Sequence, residues 1–150
     1  MIRLRDILDK LYDLIKKCDG EIKKQENTIK YEYVASATYP PNTYSVVKNI
    51  SGLSPGTYLT VLQGYGWKTG SPTQLITYLR TYAKGGANRS DYDTVERHYT
   101  WGGGGITSVC VTTVKEPDDY ISVAVYPVTS QLQVSYWKIS CIKINNSTIS

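Results

Sequence analysis

From residue 28 onward, short runs of β-branched and aromatic residues alternate with clusters of glycine, proline and asparagine. This pattern, with no helical periodicity between the runs, is typical of an all-β domain. Eight strands are predicted, over residues 29–37, 43–50, 57–65, 74–82, 94–101, 107–114, 120–126 and 132–144. Several short strands of this kind predict a two-sheet antiparallel β-sandwich, and the more specific expectation is a jelly roll.

The alternation of apolar residues changes phase within the last predicted strand. Leu132 and Val134 share one face, whereas Trp137 and Ile139 lie on the opposite one. Successive side chains of a strand point to opposite faces of the sheet. We therefore expect either that both faces of this strand are covered or that a β-bulge resets its register.

Before residue 28, apolar residues recur at alternating spacings of four and three, as they do at the a and d sites of a heptad. These positions are Leu4, Leu8, Leu11, Ile15, Cys18 and Ile22. The sequence therefore predicts that residues 1–27 form an N-terminal helix that joins copies in a coiled coil, and that residues 28–150 form the β-sandwich head. A short isolated helix is marginal in water, so its apolar stripe needs a partner.

Alternatives remain for this helical stalk. The helix could pack back on its own β domain, because a broad apolar stripe also suits an ordinary amphipathic helix. Asp19-Gly20 could end the helix near Cys18, since glycine is unfavourable within a helix. The heptad pattern also leaves both a dimer and a trimer open.

Charge and hydropathy exclude several classes of function. Lysine and arginine number 17 against 13 for aspartate and glutamate, and the excess is spread thinly rather than gathered in one basic stripe. Binding to nucleic acid is therefore not expected. The charged N-terminal residues lack the apolar region of a secretory signal, and no apolar run approaches the roughly 18 residues of a membrane span, so membrane insertion is not expected.

Residues that could carry catalysis are sparse. His98 is the sole histidine, so a multi-histidine metal site cannot form within one chain, and a serine or cysteine triad would depend on this side chain. Cys110 and Cys141 lie in apolar patterns that suit buried thiols, and an odd number of cysteines indicates no complete disulfide framework. The glycines at 102–105 lack the Lys-Ser or Lys-Thr of a phosphate loop and are interpreted as a flexible hairpin tip. We expect no enzymatic activity, no metal and no cofactor.

Aromatic residues are the strongest candidates for ligand contact. The chain holds 14 tyrosines and 3 tryptophans but no phenylalanine. An aromatic face can stack on the C–H face of a sugar, while polar neighbours supply directional hydrogen bonds. The predicted ligand-binding aromatics lie beside glycine-rich or polar segments and are Tyr65, Trp67, Tyr92, Tyr99 and Trp101. The polar candidates are Asn88, Arg89, Asp91 and Asp93. Each aromatic taken singly also suits a structural position in a strand.

Three segments resemble trimeric jelly-roll domains of the C1q and tumour-necrosis-factor type. SGLSPGTYLTVLQGYGW (51–67) resembles their early strand, VCVTTVKEPDDYISVAVYP (109–127) resembles their paired late strands, and VSYWKISCIKI (134–144) resembles their closing strand. A helical stalk before such a head is also similar to the arrangement of bacteriophage fibre and baseplate tips. Phenylalanine, which is usual in these cores, is absent, and residues 68–101 match no part of the pattern.

The resemblance implies a homotrimer that belongs to a virion, contacts other virion proteins and meets a host surface. The first functional hypothesis is accordingly a bacteriophage fibre or receptor-binding module whose aromatic residues hold a cell-surface carbohydrate. The alternative is a purely structural virion subunit, such as a head-fibre, decoration or baseplate protein, that binds no glycan.

Overall fold

A computed structural model describes residues 3–26, 29–89 and 94–145 of the chain. Within these residues one helix precedes the strands. The elements are α1 (Leu4–Glu26), β1 (Ile29–Val34), β2 (Ala37–Tyr39), β3 (Ser45–Ile50), β4 (Gly56–Lys68), β5 (Thr73–Tyr82), β6 (Thr94–Trp101), β7 (Gly103–Val114), β8 (Tyr120–Pro127) and β9 (Leu132–Asn145). The first predicted strand divides into β1 and β2, and the other strands lie close to their predicted positions.

Helix α1 continues through Gly20, so the Asp19-Gly20 pair does not end it. The side chains described for the helix, at residues 3–20, are all exposed. They include the large apolar residues Leu4, Ile7, Leu8, Leu11, Leu14 and Ile15. Over these residues the helix therefore does not pack back on its own β domain, and no other part of the described chain covers its apolar stripe. The side chain of Ile22, at the end of the predicted stripe, lies outside the described residues.

The strands form two antiparallel sheets. The five-stranded sheet has the order β1-β9-β4-β7, and β2 pairs with β9 beside β1. The four-stranded sheet has the order β3-β8-β5-β6. Buried apolar side chains from both sheets form one cluster. The architecture is therefore an antiparallel β-sandwich, as the strand pattern predicts.

A bulge in β9 explains the change of phase in the last strand. Tyr65 of β4 lies opposite Tyr136, whereas the next residue, Gly66, lies opposite Val134, so Ser135 is an extra residue on β9. This extra residue allows Val134 and Trp137 both to face the core, where both are buried. Of the two explanations that the sequence leaves open, the bulge is therefore confirmed.

The glycines at 102–105 do not form a hairpin tip, contrary to the interpretation from sequence. Strand β7 begins at Gly103, and Gly103, Gly104 and Gly105 pair with Trp67, Gly66 and Tyr65 of β4. The chain changes sheets at Gly102, between β6 of the four-stranded sheet and β7 of the five-stranded one. The glycines therefore extend the sheet beside the exposed aromatic residues of β4.

Candidate functional site

The end of β4 places two aromatic side chains on the outer face of the five-stranded sheet. Gly64 and Gly66 are buried and alternate with Tyr65 and Trp67, which are exposed. A Cβ atom at Gly64 would lie 2.3 Å from Cε3 of Trp137, and one at Gly66 would lie 2.5 Å from the carbonyl oxygen of Gln133. Only glycine fits on the inner side of this segment, because the indole of Trp137 and the backbone of β9 occupy that space.

Lys68, the last residue of β4, anchors this end of the strand. Its side chain is buried, and its Nζ donates hydrogen bonds to the carbonyl oxygens of Gln74, at 3.1 Å, and Val128. It also donates to the hydroxyl of Thr73. Burial lowers the pKa of this ammonium group. The lysine therefore ties β4 to β5 and to the turn after β8, which fixes the position of the neighbouring Trp67.

An open cleft of about 550 Å³ lies beside Trp67. Its lining residues are Ser36, Ala37, Thr38, Trp67, Gln133, Val134 and Ser135. The cleft forms where β1 ends and β2 begins, at the point on β9 where Ser135 bulges. One row across three strands contains Thr38, Gln133 and Trp67. Gln133 of β9 pairs with Thr38 of β2 on one side and with Trp67 of β4 on the other.

The cleft combines one large aromatic face with hydroxyl and amide groups. The Trp67 side chain is 44 % exposed, and Ser36, Thr38, Gln133 and Ser135 supply hydrogen-bond donors and acceptors. No lining residue carries a charge. Such a surface suits a ligand that has an apolar C–H face and several hydroxyl groups.

Tyr65 continues the aromatic surface by one row along the sheet. It lies opposite Tyr136, and the Nζ of Lys138 lies 5.3 Å from the centre of the Tyr136 ring. The aromatic surface and the cleft therefore occupy the same end of the five-stranded sheet.

The structure does not gather all five predicted aromatic residues. Tyr99 is 64 % exposed but lies on β6 of the four-stranded sheet. Trp101 is partly buried and packs against the core. Tyr92 lies outside the described residues, as do Asp91 and Asp93. The structure thus brings Tyr65 and Trp67 together with cleft residues that the sequence does not single out.

Arg89, a predicted polar ligand contact, has a structural role. Its Nε lies 2.8 Å from Oδ2 of Asp119, whose side chain is buried. The same carboxylate oxygen accepts hydrogen bonds from the backbone amides of Lys115 and Glu116, both at 3.1 Å. These bonds hold the turn between β7 and β8, so Arg89 supports that turn and is not part of the cleft.

The opposite end of the same outer face, next to the helix, is apolar. In one row Ile29, Ile142, Leu59 and Val111 lie side by side across β1, β9, β4 and β7. In the next row the order is Tyr31, Ser140, Val61 and Val109. We call the seven apolar side chains of these two rows the apolar patch. Leu59 and Val61 are half-buried and the other five are exposed.

A tyrosine cluster covers the outer face of the four-stranded sheet. The rings of Tyr82 and Tyr120 stack with their centres 5.6 Å apart, and those of Tyr44 and Tyr78 meet edge to face at 5.1 Å. The Cζ of Arg80 lies 4.6 Å from the centre of the Tyr78 ring. Burial, followed by a hydrogen bond with Tyr82, raises the pKa of Tyr44 to about 12. These side chains contact one another closely and cover the sheet.

The single histidine and the three cysteines are the remaining candidates for chemistry. His98 lies 4.0 Å from Glu96, its neighbour on the same face of β6. Cys110 and Cys141 are buried, Cys18 is exposed, and the three form no disulfide with one another. Within the described ranges no three histidine, cysteine, aspartate or glutamate side chains come together as metal ligands, and no helix there is apolar enough over sufficient length to span a bilayer.

Comparisons with known proteins do not assign this chain to a family. No protein-family profile matches the sequence, and no curated protein matches it. Similar solved structures include an arabinose-bound α-L-arabinofuranosidase, with 8 % identity and a TM-score of 0.46 over 75 % of this chain and 22 % of that chain. This chain therefore spans about a fifth of that enzyme chain.

Two further similar structures come from assemblies. One is a Bacillus endospore appendage that forms disulfide-linked pili, with 13 % identity and a TM-score of 0.40 over 77 % of this chain and 88 % of that one. The other is from infectious bursal disease virus strain Gx, with 7 % identity and a TM-score of 0.41 over 80 % and 33 %. Similarities this low carry no inference about function.

Proposed function

We propose that this chain is an oligomeric β-sandwich module of an appendage of the bacteriophage-fibre type, and that it binds a cell-surface glycan in the cleft at Trp67. One observation carries the proposal. An exposed indole lies in one row with the side chains of Gln133 and Thr38 in an open, uncharged cleft. Stacking on the indole and hydrogen bonding to the hydroxyl and amide groups together fit a neutral sugar.

The order of the strands supports a jelly-roll head. From β3 to β9 the chain moves repeatedly between the sheets, and the orders β1-β9-β4-β7 and β3-β8-β5-β6 are those of two Greek keys wound into a jelly roll. This is the fold that the sequence resemblance implies. It supports an oligomeric head domain of the kind that the resemblance describes.

The exposed helix supports assembly of several copies. Its large apolar side chains recur at heptad spacing, and those at residues 4–15 are all more than half exposed. A stripe of this kind becomes stable when it packs against the same stripe in other copies. We propose a homotrimer in the virion, in which several weak glycan sites act together and raise the overall affinity.

The cleft and the C-terminal end of the helix lie at opposite ends of the sheet, as a binding tip requires. Ile29, the first residue after the helix segment to be described, shares a row with Leu59 of β4. Trp67 lies eight residues further along β4, which corresponds to about 26 Å in an extended strand. Helices that join copies at one end would therefore leave the clefts accessible at the other.

Glycan-array binding of the full chain and two variants tests this proposal. Trp67→Ala is expected to weaken binding to neutral glycans at least about tenfold, because it removes the stacking surface. Tyr99→Ala is the matched control, since it removes an exposed aromatic from the other sheet. Equal binding by wild type and Trp67→Ala would contradict the cleft as the binding site, and binding to acidic glycans alone would contradict the ligand class.

The second candidate function is a purely structural virion subunit. The apolar patch supports it, because a surface of this kind suits contact with another protein. In that case the chain would co-purify with virion proteins and bind no glycan. Neither function includes catalysis, so incubation with oligosaccharides should leave their chromatographic profiles unchanged.

A further inference from the structure

The apolar patch has the composition of the centre of a protein interface. Its two rows contain one polar residue, Ser140, and no charged residue. The next row toward the cleft consists of Tyr33, Lys138, Gln63 and Thr107. An apolar centre bounded by a polar rim is the usual arrangement at protein interfaces.

The helix and the apolar patch are adjacent along the chain. The helix ends at Glu26, and Ile29, a member of the patch, begins β1. Two residues separate these elements, so copies that associate through their helices are held with their patches close together. Linked surfaces then meet at high effective concentration.

The area of exposed apolar surface also favours a shared interface. Each of the five exposed patch residues is 37–56 % exposed. A fully exposed apolar side chain has a surface on the order of 120–180 Å². Multiplied by the exposed fractions, this gives roughly 400 Å² of exposed apolar surface for the patch and roughly 500 Å² for the helical stripe. Neither reaches the about 800 Å² that each partner buries in a typical stable interface, whereas the two together do.

We infer that the apolar patch is an interface between copies of this chain, continuous with the one formed by the helices. This inference rests on the proposed oligomeric function and adds a second surface to it. The head domains then contact one another through the helix-proximal half of the five-stranded sheet. The cleft at Trp67, at the other end of the same face, remains outside that contact.

Two substitutions at the centre of the patch test the inference. Val109→Lys combined with Val111→Lys places two charges on side chains that are already exposed in the single chain, so the fold itself is expected to remain intact. Thr107→Lys is the matched control, since it adds a charge to the same face of the same strand in the polar row. Tyr31→Glu provides a second variant on another strand. Circular dichroism verifies the fold of each full-length variant.

Sedimentation velocity over a wide range of protein concentration gives the result. The patch variants are expected to raise the concentration of half-dissociation about 30-fold or more, as for a central interface residue. Thr107→Lys should behave like wild type. If the folded patch variants assemble as wild type does, the inference is overturned, and a monomeric wild type would overturn both it and the proposed oligomer.

A helix variant separates this inference from the proposed function. Leu8→Lys combined with Leu11→Lys charges the helical stripe and leaves the patch unchanged. If the helix variant dissociates and the patch variants do not, the copies are joined by their helices alone, and the sheet interface is refuted. Dissociation of both sets is the expected result.

Discussion

Thr77 Oγ1 and Ser108 Oγ lie 2.6 Å apart and form a buried hydrogen bond that joins β5 of one sheet to β7 of the other. One hydroxyl donates and the other accepts, so each of the two buried oxygens has a hydrogen-bond partner. Ser108→Ala removes one partner and leaves the Thr77 hydroxyl buried. We expect the free energy of unfolding to fall by about 1–3 kcal/mol, the usual penalty for an unsatisfied buried polar group.

A double-mutant cycle measured by urea denaturation checks this pair. The double variant Thr77→Val and Ser108→Ala lacks both hydroxyl groups. Its free energy of unfolding should fall by less than the sum of the losses in the two single variants. A coupling energy of at least about 0.5 kcal/mol is expected for residues in contact. Strict additivity of the single effects would show that the bond does not link the sheets energetically.

Gly64 is expected to resist substitution. In Gly64→Ala the new Cβ would lie 2.3 Å from the Trp137 ring, so the ring must shift, and overpacking of this kind costs about 1–3 kcal/mol. Thermal unfolding should show a lower Tm. Gly105→Ala is the control, because Gly105 also lies in a paired strand and a Cβ there meets nothing within 4 Å. A Gly64→Ala protein as stable as Gly105→Ala would contradict this account of the packing.

Tyr39 supports Trp137, the largest fully buried side chain among the described residues. Its hydroxyl accepts a hydrogen bond from Nε1 of Trp137 at 3.0 Å, and the two rings meet edge to face with centres 6.4 Å apart. Tyr39→Phe keeps the ring contact but leaves the indole donor buried without this acceptor. The free energy of unfolding should fall by about 1–2 kcal/mol. Tyr99→Phe, exposed on the other sheet, is expected to change it by less than about 0.5 kcal/mol.

Cys141 should make stability depend on pH above neutrality. Burial raises the pKa of its thiol to about 11 from 9.0, while a hydrogen bond with Thr60 acts in the opposite direction. In the unfolded chain the thiol ionises near pH 9, so between pH 9 and 11 the folded state binds more protons than the unfolded state. The contribution to stability is complete below pH 9 and is lost as the pH rises toward 11.

Urea denaturation of wild type and Cys141→Ala across this range measures the effect. The stability advantage of wild type over the variant should shrink by on the order of 2–3 kcal/mol between pH 8 and 11, about 1.4 kcal/mol for each unit of pKa difference. Tyr39, Tyr44 and Lys68 are present in both proteins, so their titration cancels in the comparison. A constant difference across the range would show that the thiol is not protected from ionisation.

Strand positions were predictable because alternation is a local property of the sequence. Strand β6 spans Thr94–Trp101, as predicted, and the phase change after Val134 indicates the bulge in β9. The end of β4 was harder to predict. Gly66 lies beyond the predicted strand 57–65, yet it is paired within β4, where the backbone of Gln133, 67 residues away, fills the space that a side chain would need.

The cleft could not be predicted in the same way. Thr38, Gln133 and Trp67 lie far apart in the sequence and meet only through the register of β2, β9 and β4. Register depends on long-range pairing, which no local pattern encodes. The sequence singles out Tyr65 and Trp67 as candidates because they lie beside glycines, and both side chains are exposed. Trp101 shows the same chemistry in sequence but is held against the core by its position at the end of β6.

The extra residue in β9 has a consequence for how this chain can vary. Ser135 has no partner of its own on β4, so its deletion would leave Val134 and Trp137 two residues apart and both still on the inner face. Deleting Lys138 instead would turn every later side chain of the strand to the opposite face. The loss of a single codon should therefore be tolerated far better at Ser135 than at Lys138, which makes the bulge the place where this strand can change in length.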